Sequence, residues 1–196
     1  LLNAFGMVSP VYALQTWYAE VTSIHSESFV LGSLFVVGLI VEPLVLLLAA
    51  AWLTRVLTGG TERLVEIIGR YAYALAPLGF GVWLAHYLFH LLTGLWTVVP
   101  VTQNALADAG LPLFGSPMWR LTGMREGPVN VLEMGFLALG LVGSLLVAYR
   151  LSHRRYGRAA WRAWLPWAGL CTLLYVAAVW LLNQPMEMRA TFLGTG

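Results

Sequence analysis

Two histidines four residues apart, His86 and His90, stand in an otherwise apolar run. On a helix this spacing puts both imidazoles on one face. Imidazole ligates metals and haem iron and relays protons, so the pair is a candidate cofactor or metal site. Position 87 is Tyr rather than Glu, so this is not the zinc-protease motif. Two histidines on one face lie on the same side of a haem ring, so each would need an opposing ligand from another helix. The alternative role is interhelical hydrogen bonding or a polar subunit contact.

Two glutamates, Glu42 and Glu133, also sit within apolar runs. A charge inside a bilayer costs roughly 2.5–3.5 kcal/mol on insertion scales, so both are candidates for a proton relay. Counting ~1.5 Å per residue from the expected outer helix ends gives depths of ~20 Å for Glu42, ~21 Å for His86, ~15 Å for His90 and ~6 Å for Glu133. The four residues would then form a ladder from the outer face to the middle of the membrane. Glu133, the shallowest, could instead reach the interface. Glu42 precedes Pro43, whose missing N–H frees the Leu39 carbonyl and permits a kink. Met186 and Met188, with His25 on the same side, offer a weaker soft-ligand set suited to Cu(I). The one cysteine, Cys171, lies in an apolar run, so no disulfide and no iron–sulfur cluster is ligated within this chain.

The elements that must carry these residues are helices in a membrane. Of 196 residues, 59% are hydrophobic and 10% charged, and the mean hydropathy is +0.76. Soluble domains average about 45–50% apolar and about 25% charged. The expected fold is all-α: a polytopic four-transmembrane-helix bundle, with a long outer loop between helices 2 and 3. The spans read from the sequence are 29–53, 71–99, 129–149 and 163–182, each near the ~20 residues a bilayer requires. Three regions follow: an interfacial amphipathic segment over 1–27, a membrane domain over 28–182 and an outer tail over 183–196.

Arginine placement sets the orientation. Arg55, Arg63 and Arg70 lie in the first connection, and Arg150, Arg154, Arg155, Arg158 and Arg162 in the third. The second holds Arg120 and Arg125, and the tail Arg189. Both termini are therefore expected on the non-cytoplasmic side of a bacterial inner membrane. No basic stretch leads into an apolar run as in a signal peptide, and the first residue is Leu rather than Met, so the chain is expected to be processed or part of a longer one. In the first connection Thr61 is placed to cap a helix, and Glu66 and Arg70 have i,i+4 spacing. Pro77, Gly79 and Gly81 permit a kink or close packing in the second span, and Gly140, Ser144 and Ala148 make a small-residue stripe in the third.

Three stretches together, Tyr71 to His90, Gly143 to Arg150 and Gln184 to Arg189, resemble the C-terminal membrane region of polyferredoxin-like, 4Fe–4S-binding membrane proteins. The opening Asn3 to Val8 would follow the cluster domain. The resemblance implies electron transfer between clusters and a quinone or another redox subunit. The chain departs from that pattern in lacking a Cys-x-x-Cys run, so any cluster would lie in a missing part of the chain or on another membrane or iron–sulfur subunit.

The leading expectation is a membrane subunit of a respiratory or photosynthetic electron-transfer complex, with an intramembrane His/Glu site for haem, metal, quinone or proton transfer. It would be a non-catalytic or quinone-reactive subunit of an oxidoreductase. The alternatives are a cofactor-free structural or assembly subunit and a proton or cation transporter component. The formal net charge of +2 gives no nucleic-acid footprint. No P-loop, dinucleotide fingerprint or nucleophile elbow is present.

Overall fold

The computed structural model describes residues 9–111, 114–121 and 123–184, and among these every regular element is helical. α1 is Ser9–Thr22, α2 Glu27–Val36, α3 Glu42–Thr58, α4 Leu64–Tyr71, α5 Ala76–Gly94, α6 Val98–Asp108, α7 Glu126–Tyr156 and α8 Ala160–Leu182. A π-helical turn, Val37–Val41, joins α2 to α3. The 3-10 turns Ala72–Leu75 and Gly157–Ala159 join α4 to α5 and α7 to α8. Three stretches are long and apolar enough to cross a membrane: Glu27–Thr58, Leu64–Gly94 and Gly127–Leu182. The last holds 56 residues and folds back at Gly157, whose φ of +52° suits a residue without a Cβ.

Proline explains two of the irregular turns. Pro43 cannot donate to the Leu39 carbonyl, and the helix absorbs this by widening, with the Glu42 N–H bonding back to the Val37 carbonyl. Ahead of Pro77 the chain tightens instead, and the Ala76 N–H satisfies the Tyr73 carbonyl. The Leu78 amide, in the first turn of α5, donates to the Ser144 hydroxyl on α7 at 2.9 Å. That bond locks the start of α5 to the middle of α7.

α7 is the spine. Its face Val129, Glu133, Leu137, Gly140, Ser144, Ala148 and Ser152 is buried along its whole length. It packs most extensively on α5 and next on α8, while α8 in turn carries α3. The α5–α7 contact is close because glycines face each other. A Cβ on Gly81 would lie 2.7 Å from the Phe136 carbonyl oxygen, and one on Gly140 would lie 2.9 Å from that of Pro77. The small-residue stripe thus makes a tight helix contact as its spacing indicates.

The arginine-rich end is joined by side-chain hydrogen bonds from four helices. Trp167 on α8 donates its Nε1–H to the Thr54 hydroxyl on α3 at 3.0 Å, and Thr54 donates to the Ala50 carbonyl at 2.8 Å. Ser152 donates to the Ala148 carbonyl at 2.8 Å, so at their 2.6 Å contact the Tyr71 hydroxyl is the donor to Ser152. Glu62, between α3 and α4, accepts from Arg70 at 2.9 Å, from the Tyr156 hydroxyl at 3.0 Å and from Arg155 Nε at 2.6 Å. These donors, and the two guanidinium charges above all, hold the Glu62 carboxyl down at about 2. The i,i+4 spacing of Glu66 and Arg70 suggested a different pairing. Arg70 turns to Glu62, which is half-covered, while Glu66 is exposed. Thr61 does not cap α4 either, since the residue at its N-cap is Arg63.

The other end is looser. Within the apolar window of Glu27–Thr58 only 11% of residues are buried, against 28% for Gly127–Leu182. α1 lies on this side with Val11, Gln15 and Ala19 buried on one face and Trp17 exposed. α5 stops at Gly94, and α6 starts four residues later at Val98, within what the sequence reads as a span and a long loop.

Candidate functional site

The two histidines stand side by side on α5. Their ring centroids are 4.9 Å apart and their planes 88° apart, an edge-to-face pair. His86 is half-buried and His90 exposed. Neither forms a hydrogen bond or ion pair with another described residue. Val82, one turn before His86, lines an apolar cleft of about 240 Å³ with Leu75, Leu78, Gly79 and Leu174. No atom lies within 4 Å of where a Cβ on Gly79 would be, which leaves the cleft open on that side.

Glu133 is covered by protein. It is 4% exposed on the buried face of α7 and has no hydrogen-bond or ion-pair partner among the described residues. Its height follows from the Gly81–Gly140 contact between antiparallel α5 and α7. At ~1.5 Å per residue Glu133 lies ~10 Å beyond that contact, His86 ~7.5 Å and His90 ~13.5 Å. Glu133 therefore lies at a level between the two imidazoles. The expected gap closes because α5 ends at Gly94 rather than Val99, which brings both histidines nearer that end of the helix.

Glu42 stands apart. It is exposed at the start of α3, fifteen residues from the beginning of α2, or ~22 Å along the helix. α3 packs on α8 and α4. Glu42 makes no hydrogen bond or ion pair with a described residue. The ladder thus resolves into a His86, His90 and Glu133 level on α5 and α7, and a separate carboxyl on an uncovered face.

The ligand chemistry of the level is limited. Among the described residues no group of three or more His, Cys, Asp or Glu is placed to hold a metal ion. Among the described residues no opposing imidazole faces the pair, so these residues do not by themselves fit bis-histidine haem or a bare metal. His25 is exposed in the turn before α2, and Met186 and Met188 lie outside the described residues. Cys171 is buried beside Ser144 in the α5–α7–α8 core. Two ring N–H donors or acceptors beside an apolar cleft do suit a flat, lipid-soluble molecule with polar oxygens.

One polar residue escaped sequence reasoning. Gln103 on α6 donates to the Phe114 carbonyl at 2.8 Å and accepts from the Met118 N–H at 3.0 Å, holding the segment before α7 in place. That segment reaches the last turn of α5, where the Met124 N–H bonds the Leu92 carbonyl at 2.8 Å, two residues beyond His90. A lone Gln in a mixed-composition loop carries no spacing signal for this.

Comparisons with protein-family models, with curated proteins and with solved structures give no match for this chain.

Proposed function

We propose that the chain is a membrane subunit of a respiratory or photosynthetic electron-transfer complex, and that its histidine pair serves a membrane quinone. In this reading the chain crosses a bacterial inner membrane four times, with α7 and α8 as separate spans and both termini on the non-cytoplasmic side. The observation that carries it is the edge-to-face pair His86 and His90 beside an apolar cleft, with the buried carboxyl of Glu133 at the same level. The cleft accepts an isoprenoid tail, and the imidazoles hydrogen-bond the ring oxygens. Reduction of a quinone adds two electrons and two protons. The electrons come from an iron–sulfur centre on another subunit. The imidazoles hand a proton to each oxygen, and Glu133, reprotonated from the aqueous phase after each transfer, returns one proton to each imidazole in turn.

The test is quinone binding and turnover by the purified complex, with His86→Ala/His90→Ala beside the parent. Loss of quinone binding with unchanged helical content supports the reading. Unaltered binding and turnover sink it. Elemental analysis on the same pair of samples serves as a check, since near-stoichiometric iron, copper or zinc lost in the variant would make the histidines metal ligands instead.

A second reading, a structural or assembly subunit, draws on Glu42. A carboxyl exposed far inside an apolar helix calls for a donor on a neighbouring membrane helix. That reading predicts a strongly co-purifying partner and quinone handling indifferent to the histidines.

A further inference from the structure

The arginine-rich end holds more cation than its own acids can neutralise. Eight arginines lie there, from Arg55 to Arg70 and from Arg150 to Arg162, against Glu62 and Glu66. Glu62 is fully engaged by Arg70 and Arg155. Arg150, Arg154 and Arg158 are exposed and have no acidic partner among the described residues. Arg150 and Arg154 are one helical turn apart on α7, and Arg158 follows in the 3-10 turn.

What lies above them decides the partner. On the same face of α7, Leu139, Val142 and Leu146 are 68%, 53% and 55% exposed. They stand at i, i+3 and i+7, and Arg150 continues the row. The face is thus apolar for two turns and then cationic. Tyr149 meets Trp164 edge to face at 6.3 Å, and Arg162 lies over the Trp161 ring at 5.4 Å. Aromatic rings and arginines at this height mark the level of headgroups.

We propose that Arg150, Arg154 and Arg158 form a binding site for the phosphate headgroup of an anionic phospholipid, with its acyl chains along Leu146, Val142 and Leu139. Guanidinium groups take phosphate oxygens in paired hydrogen bonds, and the long stems rest on the apolar face. The engagement of Arg155 by Glu62 keeps that residue out of the site and separates it from the cations that face the lipid.

The experiment places the purified chain in nanodiscs of phosphatidylcholine doped with phosphatidylglycerol and measures the phosphatidylglycerol retained per chain by native mass spectrometry. Arg150→Gln/Arg154→Gln/Arg158→Gln is expected to lower retention at least about tenfold, since each arginine near an anionic surface contributes several-fold to binding. The corresponding triple Lys variant, with charge kept, should retain most of it. Arg55→Gln/Arg63→Gln is the comparison for a diffuse field. Equal loss in that variant overturns the site, as does undiminished retention in the Gln triple. Helical content and melting temperature confirm that each variant folds, and a Gln triple that fails to fold leaves the Lys triple and the single Arg154→Gln variant to decide by the same readout. Displacement of lipid by millimolar inorganic phosphate would assign a free-phosphate site instead and overturn the proposal. So would equal retention of both lipids combined with binding of polyglutamate that the Gln triple abolishes, which would assign the face to an acidic protein.

Discussion

The rings of Tyr71 and Trp167 stack with centroids 4.7 Å apart and planes 4° apart, and each ring hydrogen-bonds a different helix. Both are fully buried. Through them α3, α4, α7 and α8 share one node. Aromatic pairs of this kind contribute about 0.5–1.5 kcal/mol beyond their burial.

Removing the node should be the most damaging single change. Trp167→Ala is expected to cost about 3–5 kcal/mol. Trp167→Phe keeps the ring stack but leaves the Thr54 hydroxyl without its donor, and should cost about 1–2 kcal/mol. Thermal unfolding in detergent, followed by circular dichroism, checks the order. A Phe variant as unstable as the Ala variant would show that the hydrogen bond, not the stack, holds the node.

Glycines on α5 separate by position. Gly81→Ala puts a methyl group 2.7 Å from the Phe136 carbonyl and should destabilise the protein by about 1–3 kcal/mol. Gly79→Ala meets nothing and should stabilise the helix by up to about 1 kcal/mol. It should also narrow the cleft, which on the proposed quinone reading weakens quinone binding. Melting temperatures of the two variants moving in the same direction would contradict the close α5–α7 approach.

Stability should depend on acid through Glu62. Its carboxyl titrates at about 2 in the folded chain, below its ordinary value of 4.5. A lowered folded value means that the stabilisation is complete above 4.5 and is lost as pH falls toward 2. Glu62→Gln should therefore be less stable than the parent at neutral pH, and the difference should shrink between pH 4.5 and 2. Urea unfolding at several pH values measures it. A gap that stays constant across that window would mean the contacts of Glu62 do not depend on its charge.

Glu42→Gln should leave the isolated chain within about 0.5 kcal/mol of the parent, as expected of an exposed residue without partners. On the structural-subunit reading proposed above, the same change should weaken retention of a partner subunit, read by co-purification in mild detergent. Intact retention would remove Glu42 from any subunit contact.

The helices, their apolar faces and the tight stripe at Gly140 were legible because each depends on residues three or four apart. The adjacency of His86 and His90 was legible for the same reason. The partners of Glu62 were not, because Arg155 and Tyr156 come from more than ninety residues away and outbid the local Glu66–Arg70 spacing. The level of Glu133 relative to the histidines depends on where α5 stops and how it registers against α7, and apolar composition continues past Gly94 without a break. Pro43 announced a disturbance, but whether the helix bends or widens is settled by the turns around it rather than by the proline.

The π-helical turn at Val37–Val41 divides the first long helix into a clamped half and a bare half. The half from Glu42 onward is fastened through Thr54 to Trp167, while Glu27–Val36 has one fully buried side chain, Val30. A widened turn is the weakest link between them. The Glu27–Val36 half is thus held by fewer contacts than the half from Glu42 onward. A neighbouring subunit that seats against it could set its angle without disturbing the aromatic node, so assembly and internal folding would be separable events.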